Sequence, residues 1–403
     1  MSDLQRAEDD EILARNNGFS PAAPIYELGT PVNNWGVDNA RKSRNEWQNL
    51  PLVEDACNNI IEIINKEDRH DISYELNKFS MNEQGLIVGP GTYSPTMFAL
   101  GSLIQRTRVT TPEKSDAANK AASFVSDFCS PKALRREVVN YYLSTSKKSA
   151  WLRSRVHTNS VGRELFGVFT DKYDRNWSVN NVLELIKKKV ETSEYPARAE
   201  TLYDGHKFRI SMIYHSFVEP ESYVAGEIFQ AGVDITLADD GSQSIRISPF
   251  VLRNLCLNLI ILDKNSQTIE LSHLRKDLGK ALSDGIETAL HKIEGFAEKW
   301  SQSQKDSILD DVYNNVDPIK VITQLVKAGY GKVPGESKET AIQRIHAAWE
   351  KEPGYTKMAM VNALSRAAHE NRWSSPWASQ TLEQSAGELL YNKLYLHYGS
   401  GDE

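Results

Sequence analysis

The chain has 403 residues, a net charge of −7 and a pI of about 5.8, with 40% hydrophobic and 25% charged residues. This is an ordinary globular composition with length for about two or three folding units. Its mild acidity excludes a protein that coats nucleic acid over its whole surface, but permits one basic groove. Cys57, Cys129 and Cys256 are far apart and lack CxxC spacing, which excludes a disulfide framework and a Cys-based zinc site.

Residues 1–50 are polar, are punctuated by Pro21, Pro24 and Pro31, and carry Trp35 and Trp47. They read as an extended arm able to dock on a neighbouring subunit. The first residues are charged and contain no apolar signal-peptide core. No apolar run approaches the roughly 18 residues of a membrane helix. The expectation is a cytoplasmic protein with no membrane partner.

A helical period runs over residues 53–64, with Val53, Ala56, Cys57, Ile60, Ile61 and Ile64 on one side. Residues 86–88 predict a short strand before Gly89-Pro90-Gly91, a turn without the Gly-Lys-Ser/Thr ending of a phosphate loop. Helices are predicted over 96–106 and 113–145. The stripe of the second is Phe124, Val125, Phe128, Leu134, Val138, Val139 and Tyr142.

Residues 151–177 read as a β-hairpin with one cationic face. Alternation sends Arg153, Arg155 and His157 one way and Leu152, Ser154 and Val156 the other. From Lys132 to Arg163 there are eight Lys or Arg and one acid, Glu137. Such single-sign clustering points to a polyanion. The alternative is pairing of these arginines with acids from elsewhere in the fold.

Ser178 is suited to cap a helix over 179–192, whose outer side carries Lys187, Lys188 and Lys189. Residues 206–217 predict a strand. Residues 228–237 and 244–247 predict a hairpin around Ala238-Asp239-Asp240-Gly241. The apolar run 250–262 must be buried. One long helix is predicted over 268–300. Further helices, interrupted at 329–335 and 353–354, end in two over 356–371 and 378–397.

The expected fold is α+β: an antiparallel sheet centred on residues 151–262 with packed helices, then an all-helical region. The expected divisions are an arm over 1–50, a core over 51–300 and helices over 301–403. The sequence has no dinucleotide fingerprint, no His-Glu-x-x-His and no Gly-x-Ser-x-Gly. No catalytic residue, metal ligand or cofactor is therefore assigned.

Three stretches together resemble the phage- and plasmid-borne family known as domain of unknown function 932. The first joins the Arg153–Arg155 strand, the return strand 165–169 and the exit Thr170-Asp171-Lys172-Tyr173-Asp174-Arg175-Asn176. The second joins Asp239-Asp240-Gly241, Ile245-Arg246-Ile247 and Arg253-Asn254-Leu255-Cys256-Leu257-Asn258. The third comprises Asn362-Ala363, Ala367, Leu382-Glu383 and Ala386-Gly387-Glu388-Leu389-Leu390. The chain departs from the family pattern at Ala238-Asp239-Asp240 and at Leu259. The resemblance spans residues 85–395 and implies a mobile-element gene in a host-cell cytoplasm. Its α+β layout is similar to that of single-strand annealing recombinases of the Rad and Red/Erf types, which form rings or helical arcs with single-stranded DNA lying in a basic groove.

The expected function is thus an oligomeric, non-enzymatic protein that binds single-stranded DNA or RNA and promotes annealing in recombination or replication. Lys147, Lys148, Arg153, Arg155 and Arg163 would neutralise phosphates, and Trp151, Tyr173 and Trp177 are the nearest stacking aromatics. Replacing Arg153 and Arg155 by Ala is expected to leave the fold intact. One rival is a metal-dependent enzyme acting on nucleic acid through Asp171, Asp174 or Asp239. Another is a structural or host-interaction protein that binds an acidic partner.

Overall fold

The computed structural model describes residues 50–107, 132–156, 162–170, 177–191, 197–218, 229–253, 259–261, 268–271, 277–291, 317–351, 353–354, 356–371 and 376–391. Helices and two six-stranded sheets make an α+β protein. The N-terminal arm, Tyr173 and the segment with Asp171 and Asp174 lie outside the described residues.

Helix α1 (Val53–Lys66) begins with Glu54 and Asp55 and ends with Lys66, each favourable to the helix dipole. The first sheet contains β1 (Arg69–Glu75), β2 (Ser80–Met81), β3 (Ile87–Val88), β4 (Thr92–Pro95), β5 (Ser149–Val156) and β6 (Arg163–Thr170), in the order β1-β5-β6-β4-β3-β2. Its pairs are antiparallel except β4–β6, which is parallel. The sheet therefore draws in residues 69–95, outside the span expected from sequence. Helices α2 (Met97–Thr107) and α3 (Lys132–Thr145) cover one face, burying Leu100, Leu103, Val139 and Leu143 against Ala150, Leu152, Leu165 and Val168. Leu134, placed in the buried stripe by periodicity, is 41% exposed.

After α4 (Val179–Glu191), capped by the Ser178 hydroxyl accepting from Asn181 N, comes the second sheet. Strands β7 (Arg198–Tyr203), β8 (Lys207–Val218), β9 (Phe229–Ala238), β10 (Ile245–Arg253) and β11 (Leu259–Ile261) are antiparallel neighbours. Strand β12 (Ile269–Leu271) also pairs with β10. The predicted β9–β10 hairpin forms, with Gly241 at φ 81° in its turn. The helix predicted over 268–300 is interrupted: its first turn is β12, and α5 runs over Leu278–His291. Leu271 suits either period, and in the fold it caps the cluster beside Ile245 and Ile247.

Helices α1, α4 and α5 bury the apolar face of this sheet, including Phe208, Ile210, Met212, Val233 and Ile235. Cys57 lies inside that cluster. Burial pushes its thiol up to about 12, with nearby Lys187 opposing. Because the thiolate is the nucleophile, Cys57 is expected to resist alkylation at pH 8 until the protein unfolds. Peptide mass mapping after labelling with and without denaturant checks this.

The last described elements are α6 (Pro318–Lys327), α7 (Lys338–Trp349), α8 (Lys357–Asn371) and α9 (Pro376–Tyr391). Asp317 and Ser337 cap the first two by accepting from Ile319 N and Thr340 N. These helices share a core with Val251 and Ile260 of the second sheet. Among the described residues no helix is long and apolar enough to cross a membrane.

Candidate nucleic-acid interface

Strand β5 carries the arginines singled out from the sequence. Its alternation is as expected: Leu152 enters the core under α2 and α3, while Arg153 and Arg155 occupy the other face. That face, however, is covered by the loop ends of the second sheet. Arg153 and Arg155 are 3% and 6% exposed, so neither lines an open groove.

Arg153 forms a fork with Asp71 at 2.8–2.9 Å and donates to Asp239 Oδ1 at 2.5 Å. Arg155 donates to Glu164 at 2.6 Å and to the Gly205 carbonyl at 2.7 Å, and lies 3.4 Å from Glu67. Arg69 bonds Glu67, Asp239 and the Tyr203 hydroxyl. Three guanidiniums thus meet four carboxylates. A bulge opposite Arg153–Ser154 leaves Phe166 out of register and turned into this layer. Arg69 and Arg155 sit over its ring at 5.4 and 5.2 Å, and Arg153 sits over Phe169 at 5.1 Å. Gly205 holds φ 89°, a left-handed backbone conformation that favours glycine, and a Cβ there would also stand 2.8 Å from Arg155 Nη1.

Asp239 is the hub. Burial disfavours its charge, but Arg153 and Arg69 outweigh that and hold its carboxyl below the usual range. By sequence alone it reads as a turn residue, because its partners are remote in the chain. Both of its oxygens are engaged by guanidiniums, which leaves the carboxylate committed to structure. Arg163 is also paired, with Asp68 Oδ2 at 3.1 Å and the Asp68 carbonyl. Trp151 is half-buried against the second sheet's core, and Trp177 is 2% exposed. The alternative reading, pairing of the arginines with distant acids, describes these positions.

A second buried ion cluster lies on the polar face of the second sheet. Arg209 bonds Asp234 at 2.6 Å and Glu383 of α9 at 2.7 Å, all at about 1% exposure. Ser211 and Gln380 donate to Asp234 at 2.6 and 3.1 Å.

The exposed part of the basic cluster lies elsewhere. Lys147 and Lys148 are exposed between α3 and β5. Earlier on α3, residues 136–144 and the β2–β3 hairpin line an open cleft of about 710 Å³. Asn140 fixes its floor, accepting from Met81 N at 2.6 Å and donating to Met81 O at 3.0 Å. Arg136, Glu83, Glu137, Tyr141 and Ser144 line it. Arg136 lies 3.1 Å from Glu83. Tyr141 is 67% exposed, with its ring edge-on to Tyr142 at 5.7 Å. Sequence reasoning misses Tyr141. The available signal is its place one step off the helix stripe, beside the basic residues.

No group of three or more His, Cys, Asp or Glu is arranged to hold a metal among the described residues. In comparisons with known proteins, no family model, curated protein or solved structure matches the chain.

Proposed function

We propose that this protein binds single-stranded nucleic acid without catalysing a reaction, and self-associates to promote annealing in the recombination or replication of a mobile element. The source and the annealing role rest on the family resemblance of the sequence. The binding surface rests on one observation: an exposed tyrosine, Tyr141, in an open cleft with Arg136 on the same helix and Lys147 and Lys148 just past its end.

An exposed ring offers a stacking platform to any base, contributing about 1–3 kcal/mol per base. The cations supply sequence-independent attraction to phosphates. Glu83 and Glu137 temper the site, and a phosphate must displace Glu83 from Arg136. Binding is therefore expected to be salt-sensitive and indifferent to sequence.

The test is titration of fluorescent oligo-dT and oligo-rU at several salt concentrations. Tyr141→Ala should weaken binding about 5- to 150-fold, the range set by one stacked base. The Lys147→Ala/Lys148→Ala pair should shallow the log–log salt slope by roughly 0.7 for each phosphate no longer neutralised. Unaltered binding by both variants would place the strand elsewhere. A wild-type chain that binds neither oligonucleotide at low salt would defeat the reading.

A further inference from the structure

Strand β1 lies at the edge of the first sheet, with β5 on one side. On the other side no strand pairs with it among the described residues, and His70, Asp71, Ser73, Tyr74 and Glu75 are exposed. Leu76 N bonds Lys148 O at 2.9 Å, which continues the β1–β5 ladder by one residue. Antiparallel ladders alternate, so His70, Ile72 and Tyr74 spend their backbone groups on β5. The N–H and C=O groups of Arg69, Asp71, Ser73 and Glu75 point outward.

We infer that this edge pairs with the same strand of a second copy, antiparallel about a two-fold axis at Ile72. The occupant follows from self-complementarity. Pairing centred on Ile72 sets outward-pointing residues against each other: Arg69 opposite Glu75 of the second copy, and Asp71 opposite Ser73. On the other face His70 meets Tyr74 and Ile72 meets itself. A shift of two residues either way places Asp71 opposite Asp71 or opposite Glu75, like charges that oppose pairing. Charged residues normally discourage association at an edge; in this one register no like charges face each other. The interface is isologous, so it closes after two copies, and longer assemblies need a second surface.

This names the interface for the self-association proposed above and involves no part of the cleft. Its test uses the full chain. Ser73→Pro removes only an outward N–H, and an edge strand accommodates that. The mass from light scattering should fall from two chains to one with unchanged far-UV circular dichroism. Ile72→Cys should give a covalent dimer under mild oxidation, since facing Cα atoms about 4.5 Å apart suit a disulfide. If Ile72→Cys folds poorly, chains carrying His70→Cys should cross-link to chains carrying Tyr74→Cys, and neither to itself. A monomeric wild type, or a Ser73→Pro dimer without these cross-links, overturns the inference. So does a dimer that disappears only when residues 1–50 are deleted, which would make the arm the interface. Oligonucleotide binding by the Ser73→Pro monomer reports separately on the cleft.

Discussion

Arg153→Ala is expected to destabilise the protein by about 3–5 kcal/mol, the cost of breaking a buried ion pair from one side. The side chain is 4% exposed and its partner Asp239 is fully buried, so water cannot replace the bond lost at Oδ1, and Arg69 is left as that carboxylate's one guanidinium partner among the described residues. Arg153→Ala/Arg155→Ala should not fold, contrary to what strand alternation alone suggests. Urea denaturation followed by circular dichroism reads the single variant. Its pH dependence gives a second signature. The folded pKa of Asp239 is depressed, so its contribution is complete above its unfolded value of about 3.9 and is lost as pH falls further. In Arg153→Ala that acid limb should shrink. A variant as stable as wild type would mean that the two sheets do not depend on this layer.

Arg209→Ala should cost a similar amount, about 3–5 kcal/mol, because it leaves Asp234 and Glu383 buried without their shared guanidinium. Arg209→Met tests the origin of that loss. It restores volume but not charge, so a similar loss in both variants identifies the stranded carboxylates as the cause. Recovery in Arg209→Met would instead assign most of the loss to the cavity. Equilibrium unfolding with tryptophan fluorescence follows both, since Trp377 on α9 bonds Asp204 beside β8.

Much of the fold is legible where one period dominates. Val53, Ala56, Cys57, Ile60 and Ile64 mark α1, and Asp239-Asp240-Gly241 marks the β9–β10 turn. The short strand predicted over 86–88 is β3, but β1, β2 and β4 escape notice: β2 has two residues, β4 has four, and β1 has only Ile72 and Tyr74 as apolar residues. The arginine face shows the limit of alternation. It places Arg153 and Leu152 on opposite sides, but does not say what covers either side. The covering groups, Asp239, Gly205 and His206, are 50 to 86 residues away in the chain. Of the residues named for binding, Lys147 and Lys148 remain exposed just past the end of α3, while Tyr141 on that helix emerges only from the helix packing.

The bond between Arg209 and Glu383 spans 174 positions of chain. A ribosome makes β8 long before α9, so during synthesis the cluster at the sheet centre lacks one of its two acids. Folding of the second sheet is therefore tied to arrival of α9. Nascent chains released before residue 383 should be the ones that chaperones retain and proteases clear, while chains carried through α9 close the sheet. The position of that acid makes synthesis of α9 a checkpoint for folding of the second sheet.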